Sequence, residues 1–209
     1  MKGLFIVFEG PDGCGKSTQI RFLADALREQ GLDVLCTREP GGSPVAEKIR
    51  ELLLDRESEG MTALTEALLY AAARAEHVRR VIEPALSAGK VVLCDRFVDS
   101  SIAYQGYGRG LGAKTVWRIN EAAVDGIMPD ATVFMNVPPE RAFERMNENK
   151  QHDRLESEDI SFHRRVFEGY TELSKKPGVI VVSAEGSKQD THDVIRRELD
   201  PIFREAGLL

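Results

Sequence analysis

Residues 4–18 read LFIVFEGPDGCGKST, and the rest of the chain is organised around them. Leu4, Phe5, Ile6, Val7 and Phe8 make an apolar run of the length of a strand buried on both faces, and it stops at Glu9 and Gly10. From Ser17 onward Ile20, Leu23, Ala24 and Leu27 recur at helical spacing, and Gly31 stands where a C-terminal cap would end the helix. Between strand and helix, Gly10, Pro11, Asp12, Gly13, Cys14, Gly15, Lys16 and Ser17 match G-x-x-x-x-G-K-[ST] in its strand-loop-helix setting. Glycines let this backbone turn tightly, so that successive N–H groups, continuing to Thr18, can point at phosphate oxygens beside a helix N-terminus. Lys16 adds a cation, and Ser17 can hold Mg²⁺. The stretch predicts a nucleoside triphosphate site.

The 209 residues fit one domain, 1–209, with a continuous core. At 42% hydrophobic and 30% charged the composition is that of a globular protein. The net charge of −6 opposes non-specific binding to nucleic acid, so an anionic substrate needs a local basic cluster. Cys14, Cys36 and Cys94 have no metal-ligand spacing, and their odd number argues against a disulfide framework. Cys14, beside a helix N-terminus, is either a thiol of lowered pKa or a small residue filling a variable position. Lys2 precedes an apolar run too short for a signal peptide, and no run reaches membrane-spanning length. A reducing cytoplasm and no membrane partner are expected.

Downstream, Val34 to Cys36 read as a second strand, ending in the loop Thr37-Arg38-Glu39-Pro40-Gly41-Gly42, with Arg38 at the edge where open α/β sheets bind ligands. Ser43 and Pro44 cap a helix whose Val45, Ile49, Leu52 and Leu53 are expected inward, with Arg50 at the border of the stripe. A helix from about Thr62 carries Leu64, Leu68, Ala71, Ala75, Val78 and Ile82 on one face, a core or subunit-contact stripe. Tyr70 and Arg74 lie off it, four apart, able to present a ring and a guanidinium together. A third apolar run, Val91 to Cys94, ends in Asp95-Arg96-Phe97. That places Asp95 as a Walker-B-type carboxylate for Mg²⁺ or as a helix cap. Residues 99–106 are dense in groups able to hydrogen-bond a base or sugar, or form a solvated helix start. Strand Ala131 to Val137, a helix from Pro139 to Met146, a helical face of Phe162, Val166, Tyr170 and Leu173, a strand Val179 to Val182 and a closing helix bent at Pro201 follow. Residues 147–159, NENKQHDRLESED, lack periodicity and read as a mobile lid or a surface loop carrying Lys150, His152 and Arg154. Strands alternating with helices imply an α/β fold, a parallel sheet covered on both faces.

With these pieces in order the chain resembles the bacterial thymidylate kinase family over essentially its whole length. The shared motifs are FEGPDGCGKSTQ at 8–19, TREPGG at 37–42 and DRFVDSSIAYQGYGRGLG at 95–112. The phosphate loop alone says only nucleotide, whereas REPGG and DR-x-x-x-S-x-x-A-Y-Q-G are specific to that family. The resemblance implies a P-loop kinase with a five-stranded parallel sheet, a homodimer, and transfer of the γ-phosphoryl group of ATP to dTMP with Mg²⁺. The product would be dTDP, on the way to dTTP. By position, Tyr70 looks like the family's usual Phe stacking on thymine, and Arg74 like the arginine on the exocyclic oxygen of the base. Ser101 and Gln105 would read the pyrimidine edge, and Tyr104 would crowd the 2′ position of the sugar. Asp12 resembles the loop acid near the sugar 3′-OH and the acceptor phosphate. Arg38, Arg50 and Arg96 would hold that phosphate, with Glu39 in the same loop. Gly13 stands where some relatives carry an arginine, so the basic residue resembles one supplied by the lid, Arg154 first and Lys150 second.

The chemistry points the same way. A phosphomonoester has its second pKa near 6, so the acceptor is already an oxyanion at neutral pH and no general base is required. The problem is to bring two polyanions together, and Lys16, Arg38, Arg96, Arg154 and Mg²⁺ can supply the positive charge. The competing readings are another nucleotide kinase, or an NTP-hydrolysing regulatory switch.

Overall fold

The computed structural model describes residues 3–147 and 153–208. In chain order the elements are β1 (Leu4–Glu9), α1 (Lys16–Glu29), β2 (Val34–Arg38), α2 (Pro44–Leu54), α3 (Ala63–His77), α4 (Glu83–Ser87), β3 (Val91–Asp95), α5 (Val98–Ser101), α6 (Ala113–Val124), β4 (Ala131–Asn136), α7 (Pro139–Asn147), α8 (Ile160–Leu173), β5 (Val179–Ser183) and α9 (Lys188–Glu205). The strands form one parallel sheet in the order β2-β3-β1-β4-β5. The expected five-stranded parallel architecture is what the chain adopts. Among the described residues no helix is long and apolar enough to cross a membrane.

β1 is the centre because all six of its residues are buried. Side chains alternate across a strand, so Leu4, Ile6 and Phe8 join the core beneath α1 and α9, while Phe5 and Val7 join the core built by α5, α6 and α8 on the other face. Burial of each such side chain is worth about 1.5–3 kcal/mol, which holds the sheet rigid. The register aligns Phe8 with Asp95 and Asp95 with Arg38, so the ends of three strands meet at one edge. Ligands of open α/β sheets bind there.

The caps follow the sequence. Ser43 accepts from the Ala46 N–H at 3.3 Å with Pro44 in the first turn, Thr62 accepts from the Thr65 N–H, and Ser187 with Asp190 forms a capping box. Two expectations need correcting. Val45 and Leu52 of α2 do not face inward; both are about half exposed, and Ala46 and Leu53 are the buried residues. The apolar stripe is wider than the contact α2 makes with α3, and its outer half is left on the surface beside Leu64 and Leu68 of α3, also about half exposed. The stretch at 99–106 is not a solvated helix start. Ser100, Ser101, Tyr104 and Gln105 are buried, and α5 continues as a π-helical turn over Ile102–Gly108. A second such turn, Val78–Ile82, joins α3 to α4.

Candidate active site

The loop between β1 and α1 has the geometry its glycines permit. Gly10 has φ 141°, and a Cβ there would lie 2.7 Å from the Met135 carbonyl; Gly15 has φ 99° and opens α1. The buried Lys16 Nζ donates to the Gly10 and Pro11 carbonyls at 3.1 and 2.9 Å. Ser17 Oγ donates to Asp95 Oδ2 at 2.8 Å, joining the start of α1 to the end of β3. An open cleft of about 810 Å³ spans Gly13 to Thr18, Arg38, Asp95 and Arg96. It runs on into a space of about 920 Å³ between Cys14, Gln19, Arg145 and Lys188. Cys14 is buried, and burial pushes its thiol up against the opposing pull of Lys16 and Arg96. It is the small filler of its two readings.

Arg96 is the hub. It follows β3 directly and holds a left-handed backbone, φ 71°, which an ordinary side chain seldom adopts. Nη1 donates to the Gly10 carbonyl at 2.9 Å, Tyr170 OH at 2.9 Å and Ser100 Oγ at 3.2 Å, and Nη2 pairs with Asp12 and reaches Tyr104 OH. Tyr104 OH also donates to Asp12 Oδ2 at 2.5 Å. Burial would raise the Asp12 pKa, but Arg96 foremost, then Lys16 and Tyr104, hold it well below the usual carboxylate range. Beneath lies Glu9, buried, accepting from the N–H groups of Phe97 and Ser100, from Ser100 Oγ at 2.5 Å and from Tyr170 OH at 3.0 Å. Burial first, and Asp99 second, push it up to about 7.

A second cleft, about 610 Å³, opens on the other side of Arg96 and is lined by Tyr70, Arg74, Ser101, Tyr104 and Gln105, with Asp153 and Leu155 beyond. Arg74 is buried and hydrogen-bonded at all three of its nitrogens. Nε donates to Glu39 Oε2 at 2.7 Å, Nη2 to the Phe97 carbonyl at 3.0 Å, and Nη1 to Ser101 Oγ at 3.1 Å and to Asn120 Oδ1. Glu39 is also held by His77 Nδ1 at 2.9 Å, and His77 Nε2 meets Thr37 Oγ1 at 2.7 Å. Burial, with Glu66 and Asp153, raises the Tyr70 phenol well above its ordinary value, so the ring stays neutral. Asp12, Glu39, Arg50 and Arg96 border both clefts. Arg50 donates to the Pro40 carbonyl, and Arg38 is ion-paired with Glu47 at the rim.

The residues singled out in the sequence thus gather on the two sides of Arg96, with one different in placement. Arg154 lies behind the second cleft and not over Lys16: Nη1 pairs with Glu66 at 2.7 Å and Nε donates to the Leu53 carbonyl. Its neighbour Leu155 is buried too, so this part of the charged run is docked. Lys150 and His152 lie outside the described residues. Sequence reasoning missed Glu9, Glu66, His77, Asn120 and Tyr170. The first two look like surface acids, and Tyr170 looks like core in its helical stripe.

A hydroxyl and a carboxylate at Ser17 and Asp95 fit a hard divalent cation that keeps most of its ligands from water and phosphate. Among the described residues no cluster of three or more His, Cys, Asp or Glu side chains forms an all-protein metal cage.

The thymidylate kinase family model matches residues 8–195, taking in the phosphate loop, both clefts and Arg96. The chain belongs to the thymidylate kinase family. The thymidylate kinase of Geobacillus thermodenitrificans (strain NG80-2) is 51% identical over 98% of this chain and 88% of its own length. That of Geotalea uraniireducens (strain Rf4) is 49% identical over 92% and 94%, and that of Bacillus pumilus (strain SAFR-032) 46% identical over 98% of each. The resemblance carried by REPGG and DRFVDSS is therefore borne out, and a thymidylate kinase is a phosphotransferase. The NTP-hydrolysing switch is not favoured.

Proposed function

We propose that this thymidylate kinase moves the γ-phosphoryl group of ATP to dTMP, releasing ADP and dTDP, with ATP on the phosphate-loop side of Arg96 and dTMP on the other. The observation that carries the reading is that one guanidinium, Arg96, walls both clefts. Loop amides from Gly13 to Thr18 and Lys16 hold the donor phosphates. Arg38, Arg50 and Arg96 hold the acceptor phosphate, whose oxygen attacks as an oxyanion already formed. Asp12 fixes Arg96 and stays ionised through the turnover range. Charge that gathers on the equatorial oxygens during transfer meets an arginine already in position, so little reorganisation is needed. In the acceptor cleft Tyr70 stacks on the base, Arg74 meets its exocyclic oxygen with Ser101 alongside, and Gln105 meets the ring nitrogen. Tyr104, tied to Asp12, fills the space a 2′-OH would need.

Ser17 and Asp95 would hold Mg²⁺, which would offset the charge of the donor phosphates. The half-exposed Val45, Leu52, Leu64 and Leu68 supply the apolar face for a homodimer. Three free cysteines suit a cytoplasmic setting. The two cores share one sheet, which favours reading the chain as one domain.

The test is ADP release from Mg·ATP with dTMP, dUMP, dCMP, UMP and thymidine offered separately. Strong preference for dTMP is expected. Turnover indifferent to the acceptor would leave an NTPase, and preference for thymidine would mean a hydroxyl acceptor, overturning the phosphate acceptor.

A further inference from the structure

We infer that Glu66 locks the side-chain amide of Gln105 in the one orientation that selects a pyrimidine bearing a proton on N3. The inference rests on the reading of the second cleft as the acceptor-base site. It adds a positioning residue that touches no substrate.

An amide offers a donor edge and an acceptor edge, and a glutamine free to flip can satisfy either kind of base. Gln105 is not free. It is buried, and its Nε2 donates to Glu66 Oε1 at 2.9 Å. Glu66 is wholly buried in α3 and faces two guanidiniums, Arg109 at 3.2 Å and Arg154 at 2.7 Å. Arg109 Nε also reaches Oε1 at 3.3 Å and is itself held by Glu158 at 2.5 Å. A carboxylate between two arginines only accepts hydrogen bonds, so turning the amide over would set oxygen against oxygen in a buried site. The flip is closed, and Oε1 of Gln105 has no hydrogen-bond partner among the described residues.

Thymine and uracil carry a proton on N3 and meet that acceptor; cytosine presents a lone pair at N3 and is repelled. Arg74, whose guanidinium can only donate, imposes the same preference at the exocyclic position, for oxygen over an amino group. Discrimination against cytosine is thereby set by a residue one layer behind the cleft.

The test compares kcat/KM for dTMP, dUMP and dCMP in the native enzyme and in the Glu66→Gln and Gln105→Leu variants. A neutral amide at 66 can face Gln105 with either edge, so Glu66→Gln is expected to narrow the dTMP-to-dCMP ratio about tenfold or more, with the dTMP-to-dUMP ratio unchanged. Gln105→Leu narrows the same ratio. A ratio narrowed by Gln105→Leu but untouched by Glu66→Gln overturns the lock alone. A ratio untouched by both overturns the placement of the base, and the lock with it. Glu66→Gln takes the charged partner from two arginines and can lower stability, so the native enzyme supplies an independent readout. The Gln105 side-chain amide, assigned in ¹⁵N spectra by its loss in Gln105→Leu, should keep one slowly exchanging proton with dTMP bound. Rapid exchange of both protons overturns the lock.

Discussion

Arg96, one residue past β3, is ion-paired with Asp12 of the phosphate loop, and the pair closes the wall between the two clefts. Replacement by alanine removes the guanidinium that is ion-paired with Asp12 and borders both clefts. In Arg96→Ala, kcat should fall by about a thousandfold while the circular dichroism spectrum is unchanged, since the side chain packs against polar partners. Arg96→Lys restores charge but not the fork that reaches Gly10, Ser100 and Tyr170, and should recover only part of the loss. Near-normal turnover in Arg96→Ala would remove Arg96 from the mechanism.

The placement of Arg154 separates two roles by kinetics. Docked on Glu66 and Leu53, it supports the wall formed by Asp153 and Leu155. Arg154→Ala is expected to raise KM for dTMP about tenfold, the worth of a charged hydrogen bond, with KM for ATP within about twofold. The reverse pattern, a raised ATP KM with unchanged dTMP KM, would assign Arg154 to the donor phosphates instead.

Glu9 makes stability fall with rising pH. Its pKa is pushed from 4.5 up to about 7 in the folded protein, so between those values the folded state holds a proton that the unfolded chain has released. The contribution is fully present below pH 4.5 and lost as pH rises through about 7. Glu9→Gln keeps the shape without the titration. Urea unfolding at pH 5, 6 and 8 should show native stability declining relative to Glu9→Gln across the series; parallel curves would mean that Glu9 titrates normally.

Much of this was legible in the sequence, for reasons that differ by element. The β1-loop-α1 unit could be read because its glycines sit where positive φ is required, at Gly10, Gly13 and Gly15. Strand positions could be read because buried parallel strands are apolar along their length, as β1 and β3 are up to the acid that ends each. The cleft was legible only as a set of residues, and its supports were not. An acid such as Glu39 or Glu66 is usually solvated, and only a fold that brings Arg74 or Arg154 against it makes burial tolerable. The π-helical turn at Ile102–Gly108 leaves no mark on apolar spacing, yet Tyr104 and Gln105, adjacent in sequence, both line the cleft that holds Tyr70 and Arg74. The outward leucines of α3 have the same spacing as inward ones, and only the packing of the chain separates them.

Those leucines give a direct test of assembly. Leu64→Glu with Leu68→Glu puts two charges on the proposed dimer face without touching either core. Sedimentation should then change from dimer to monomer with an unchanged far-ultraviolet spectrum. A native protein that sediments as a monomer would remove the dimer from the reading.

The two clefts differ in what they are made of, and the difference bears on how such an enzyme can change over time. The phosphate-loop side, proposed for the donor, is lined largely by the loop from Gly13 to Thr18, whose backbone amides stay in place when its non-glycine side chains change. The other side, proposed for the acceptor, rests on largely buried polar side chains that depend on one another: Glu39 with Arg74 and His77, Glu66 with Arg109 and Arg154. Replacing one member of either set leaves its partners without a counterpart, so base discrimination can be weakened by a single step, whereas preference for a different base demands several coordinated mutations. A lineage built on this plan loses nucleobase selectivity more readily than it exchanges it.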